Sequence, residues 1–77
     1  MTSPGWCVDA TKKEPRRKSS QSGYNEEQCF KLCEDDSSLT ACTFVFADGA
    51  DFCNTYSGDV KNGNLLSGYK CHYYKGK

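Results

Sequence analysis

Four cysteines in the middle of this 77-residue chain, Cys29-x3-Cys33-x8-Cys42-x10-Cys53, limit what it can fold into more than any other feature. The first two are four residues apart, so in a helix they share one face and can each reach a partner on an element packed beneath. Local signals place that helix over Glu26 to about Asp35. Asn25 is a good N-cap, with Gln28 three residues on where a capping-box partner belongs. Glu26 and Glu27 put negative charge in the first turn, where the helix dipole favours it. Cys29, Phe30, Leu32 and Cys33 fall in one arc, with Glu27, Lys31, Glu34 and Asp35 turned away.

Asp35-Asp36-Ser37-Ser38 ends the helix with turn chemistry. The next run, Thr40 to Ala47, is the most apolar in the chain and rich in strand formers. Alternation puts Cys42, Phe44 and Phe46 on one face and Thr43 and Val45 on the other. Asp48 to Asp51 reads as a hairpin loop, and Phe52 to Tyr56 returns as a second strand carrying Cys53. The helix cysteines then face two cysteines on adjacent strands, and the economical pairing is nested: Cys33 with Cys42, Cys29 with Cys53. Cys7 and Cys71 remain, one near each end, and pairing them closes the domain.

A chain of this size forms one domain with a small core, so covalent staples are expected. An even cysteine count in a short polar chain points to an oxidising compartment, and the expected location is secreted or cell-surface. No signal peptide is legible, and Met1 reads as the start of a fragment. No apolar run approaches membrane-spanning length, so membrane insertion is not expected. The formal charge of zero hides a segregation: residues 1–24 carry +3, residues 25–51 carry −6, and residues 52–77 carry +3. Neither nucleic acid nor membrane is thereby favoured by the chain as a whole, although local patches remain open.

Outside the centre, Met1 to Gly5 is expected to fray. Trp6-Cys7-Val8 is expected to form a short strand in which Trp6 is the largest apolar contribution to the core. Asp9 to Gly23 reads as an exposed loop with room for a short edge strand. Ser57 to Gly68 is a long connection in which Asn62-Gly63 marks a turn and Leu65 and Leu66 anchor the loop to the core. Tyr69 to Tyr74 closes the domain as a strand. Tyr69, Cys71 and Tyr73 take one face of it, and Lys70, His72 and Tyr74 the other, outward one.

Gly5-Trp6-Cys7, the Cys-x3-Cys helix, Cys42-Thr-Phe-Val-Phe46, Cys53 and Gly68-Tyr-Lys-Cys-His-Tyr-Tyr-Lys75 together resemble an apple domain of the PAN superfamily, as one module with its core over about residues 5–75. The resemblance implies an α+β fold, a curved antiparallel sheet of about five strands cradling one helix. It also implies the pairings Cys7–Cys71, Cys29–Cys53 and Cys33–Cys42. Apple-like modules occur in blood proteases, a heparin-binding growth factor, parasite adhesins and other surface proteins, where they bind protein or carbohydrate and are not enzymes. The function it implies is extracellular recognition mediating adhesion, with a glycan or an extracellular protein as partner. Two alternatives stay open: a structural or regulatory interaction domain of a larger secreted protein, and a heparin-binding module.

Two groups of residues are candidates for ligand contact. Lys70, His72 and Tyr74, with Tyr56 and Asp59, form a candidate sugar site. Sugars offer an apolar C–H face to an aromatic ring and hydroxyls to charged or amide groups. Lys12, Lys13, Arg16, Arg17 and Lys18 form a cationic run suited to a heparin-like polyanion, by analogy with counterion release from nucleic acid. The plainer alternatives are a decorated sheet surface and a solvated loop. Zinc sites bring paired cysteine knuckles, whereas only Cys29 and Cys33 have such spacing, so neither metal nor cofactor is expected. One histidine, with every cysteine spent on disulfides, leaves little for catalysis, and no enzyme activity is expected.

Overall fold

A computed structural model describes residues 1–74; Lys75, where the family resemblance ends, lies outside the described residues. The helix α1 spans Glu26–Asp35 and starts as its local chemistry dictates. Asn25 Oδ1 accepts from the Gln28 backbone N–H at 2.8 Å, and the Gln28 side chain accepts from the Asn25 N–H at 3.1 Å. Two of the orphan donors of the first turn are thus satisfied within four residues.

Seven strands accompany it: β1 (Thr2–Pro4), β2 (Cys7–Val8), β3 (Arg17–Ser22), β4 (Ala41–Val45), β5 (Phe52–Tyr56), β6 (Asn62–Gly63) and β7 (Tyr69–Tyr73). Five form an antiparallel sheet in the order β1-β7-β4-β5-β3, and β2 pairs with β6 as a separate two-stranded ribbon. A 3-10 turn over Ala47–Gly49 joins β4 to β5, where a hairpin loop was expected. The small α+β fold with one helix on a five-stranded antiparallel sheet is therefore the one expected.

β4 is buried at all five positions because both faces of the sheet are covered. On one side Cys42 and Phe44 meet Cys29, Cys33, Leu39 and Cys53 beneath α1, with Phe30, Leu32, Tyr24 and Tyr74 at the margin. On the other, Ala41 joins Cys7, Tyr56, Cys71 and Tyr73. The ribbon occupies this second side: the Cys7 N–H donates to Thr43 Oγ1 at 3.1 Å, and Thr43 shares the face of Ala41. Thr43 Oγ1 also accepts from the buried Tyr56 hydroxyl at 3.1 Å, so this polar atom in the core has partners. The domain is layered as helix, sheet and ribbon.

Two disulfides are formed among the described residues. Cys7–Cys71 ties the ribbon to β7 and Cys29–Cys53 ties the helix to β5. The third expected pairing, Cys33–Cys42, is not one of the bonds formed, although both residues are fully buried in the cluster beneath the helix. Cys42 Sγ lies instead within 4.8 Å of both sulfurs of the Cys29–Cys53 link, drawn in by the inward face of β4.

Four local expectations give way to long-range pairing. Met1 to Gly5 is not frayed: β1 pairs with β7, and the terminal ammonium donates to Tyr73 O at 2.7 Å. Asn62-Gly63 is a strand rather than a turn, held against Cys7 and Val8 because the Cys7–Cys71 bond brings the chain ends together. Leu65 and Leu66 do not anchor to the core; they are 75% and 55% exposed. Trp6 is partly buried and stands outside the buried cluster, its ring edge-to-face on Tyr69 at 5.1 Å, while Tyr56 is the largest fully buried side chain.

Candidate functional site

Strand β7 turns Lys70 and His72 toward α1 rather than outward, and Tyr74 follows on the same side. Alternation separated the faces correctly, and the docking of the helix reversed which of them meets solvent. Lys70 Nζ reaches Glu26 Oε1 at 2.6 Å. The His72 ring stacks on Phe30 with centroids 4.4 Å apart and planes 17° from parallel. His72 Nε2 is 3.0 Å from the Tyr74 hydroxyl and 3.9 Å from Glu34 Oε1, while Nδ1 is 3.1 Å from Thr2 Oγ1. Burial pushes the Tyr74 hydroxyl up from its ordinary pKa, so it stays protonated and neutral at physiological pH.

Beside this seam Glu26, Glu27, Phe30, Lys31 and Glu34 line an open cleft of about 450 Å³. One wall is an aromatic ring already stacked on an imidazole. The rim carries three carboxylates and one ammonium, groups that accept from and donate to hydroxyls. Phe30, Glu26 and Glu34 were not among the sequence-predicted site residues. Their signal was present, since positions 26, 30 and 34 lie one turn apart on one helix stripe.

The other two members of the expected sugar site are elsewhere. Tyr56 is fully buried on the opposite face of the sheet, its hydroxyl spent on Thr43, and burial raises its pKa. Asp59 is exposed in the connection between β5 and β6. Only Lys70, His72 and Tyr74 are brought together.

The cationic run is divided as well. Arg17 donates twice to the Glu14 carboxylate, at 3.0 and 2.8 Å, and its guanidinium lies 5.6 Å from the centre of the Trp6 ring. Lys18 approaches Asp36 and donates to Ser38 Oγ. Lys12, Lys13 and Arg16 are exposed and form no ion pair among the described residues. β3 is the polar edge strand for which Asp9–Gly23 left room, and its cations are of the kind that discourage edge-to-edge pairing.

Cys29, Cys42 and Cys53 bring three sulfurs within 4.8 Å of one another, but the Cys29–Cys53 disulfide consumes two of them, and a disulfide sulfur is not a thiolate ligand. No helix among the described residues is long and apolar enough to cross a membrane. The fold and its staples define a class: a small disulfide-bonded α+β domain. No family model matches the chain, and neither a curated protein nor a solved structure matches it.

Proposed function

We propose that this chain is an extracellular, non-catalytic recognition module of the apple/PAN type that binds carbohydrate at the seam between α1 and β7. The observation that carries the proposal is the cleft of about 450 Å³ walled by Phe30, whose ring is braced by His72 and whose rim carries Glu26, Glu27, Lys31 and Glu34. A sugar ring laid on Phe30 would place hydroxyls within reach of those carboxylates. A preformed site of this kind holds its ligand without further ordering of the chain. The family assignment draws support from two nested disulfides and from one helix on a five-stranded antiparallel sheet. The buried bonds favour an oxidising compartment, hence secretion or display at a cell surface.

The test is a glycan array followed by NMR titration of any hit. The expected result is chemical-shift change confined to Glu26–Glu34 and Lys70–Tyr74, lost in Phe30→Ala and weakened in Lys70→Ala and His72→Ala. Absence of any glycan signal with the intact domain, or shifts that bypass the seam, defeats the proposal.

A further inference from the structure

The side of the sheet opposite this seam carries a second surface, built around the connection that leaves β6. Leu65 and Leu66 stand side by side there, 75% and 55% exposed. Leu65 has a φ of +68°, a left-handed backbone that a leucine rarely adopts. The loop is nevertheless braced. Its Asn64 Oδ1 accepts from the Trp6 N–H at 2.8 Å and from the Leu66 N–H at 3.1 Å. Asn64 N–H donates to Trp6 O, and Leu65 N–H donates to Pro4 O at 3.1 Å. The approach is so close that a Cβ on Gly63 would meet Pro4 O at 2.2 Å, and one on Gly5 would meet Leu65 N at 2.2 Å. The two leucines are therefore held out by the fold rather than left out by slack chain.

Their surroundings are cationic and aromatic. Lys12, also left-handed at φ +66°, lines a cleft of about 280 Å³ together with Leu65, Val8 and Asn62–Asn64. Lys13 follows it and Lys61 opens the approach to β6, and none of the three lysines forms an ion pair among the described residues. Of the two acids that flank Lys12, Glu14 is held by Arg17, and Asp9 Oδ1 is occupied by the Thr11 and Lys13 N–H groups and the Thr11 hydroxyl. Asp59 is the third acid in these connections. Trp6 and Tyr69 pack edge to face on the same side. The acidic residues of α1 lie across the sheet, on the far layer.

We propose that the Leu65–Leu66 tip is a peripheral contact for an anionic lipid bilayer, entering the headgroup region while Lys12, Lys13 and Lys61 meet lipid phosphate and carboxylate. An apolar tip with cations and interfacial aromatics at its shoulder matches the layered polarity of a bilayer surface. The acidic helix then faces away from the like-charged membrane. Two side chains fall far short of the roughly 800 Å² per partner that a specific protein interface buries. Surface adsorption has no such threshold and adds up when several copies sit on one membrane.

The test is flotation of the full chain with phosphatidylcholine vesicles, with and without phosphatidylserine, at low and high salt. Trp6, the sole tryptophan, reports in parallel by fluorescence. Binding is expected only with phosphatidylserine, to weaken with salt, and to shift Trp6 emission to the blue. Leu65→Asn/Leu66→Ser, in which asparagine tolerates the left-handed backbone, should lower partitioning about 100-fold, roughly tenfold per leucine. Lys12→Glu should weaken it without touching the tip, and near-UV circular dichroism checks that each variant is folded. Failure of the intact chain to float, or equal flotation of the folded leucine variant, overturns the proposal. Loss of self-association or of protein binding in that variant, with vesicle binding unchanged, overturns it also. Glycan binding at the seam is a separate readout and should survive every variant.

Discussion

Removing one disulfide at a time should show what each contributes, because the two bonds are nested. Cys7–Cys71 spans 64 positions and Cys29–Cys53 spans 24. In the unfolded chain the inner bond short-circuits its own loop, so the outer bond closes about 40 residues rather than 64, which chain-entropy accounting values at about 3.9 kcal/mol. The inner loop of 24 is worth about 3.4 kcal/mol on the same scale. All four cysteines are fully buried, so replacing each pair by alanine leaves comparable cavities, and those terms largely cancel in the comparison. A chain of this length has a total stability of about 4–12 kcal/mol, so either loss is a large share of it. The expected outcome is that Cys7→Ala/Cys71→Ala and Cys29→Ala/Cys53→Ala lose similar amounts, about 3–4 kcal/mol each, in urea unfolding at one temperature. Cys33 and Cys42 stay in place in both variants, and peptide mapping checks that the surviving bond is the native one. A loss below about 1 kcal/mol for either pair, or a difference above about 2 kcal/mol between them, would refute constraint of the unfolded chain as the main effect.

Two further outcomes follow from the capping box and the buried phenols. Asn25→Ala removes the acceptor for the Gln28 N–H and should cost about 1 kcal/mol in urea unfolding, with amide exchange quickened first in the opening turn of α1. Tyr56 and Tyr74 have pKa values raised in the folded state, chiefly by burial. Their contribution is complete below the unfolded phenol value of 10.0 and is lost as pH climbs from there toward the folded values. The urea midpoint should therefore hold through neutral pH and fall above about pH 10, less steeply in Tyr56→Phe; a flat profile to pH 11 would contradict this.

How far the sequence could be read follows from the range of the interactions involved. The helix limits were legible because a cap and its partner lie within four residues, Asn25 and Gln28, and the strands β4, β5 and β7 because alternation is local too. The seam between α1 and β7 was only half legible. Lys70, His72 and Tyr74 were found as one face of a strand, while Phe30, Glu26 and Glu34 belong to it only because α1 lies across β7. Tyr56 misled because an aromatic next to a polar loop carries no mark of which side of the sheet it will enter.

The amino-acid order by itself settled the helix, the central hairpin and the pairing of Cys7 with Cys71 and Cys29 with Cys53, since spacing and periodicity act over a few residues or through cysteines set in nested order. Tertiary structure alone decided the ribbon. Asn62-Gly63 has the chemistry of a turn and becomes a strand only where the terminal disulfide holds it against Cys7 and Val8. It also decided which face of each strand is covered, and so put Leu65 and Leu66 in solvent and His72 against Phe30. Alternation divides a strand into two faces, but only the layers packed on them determine which face meets water.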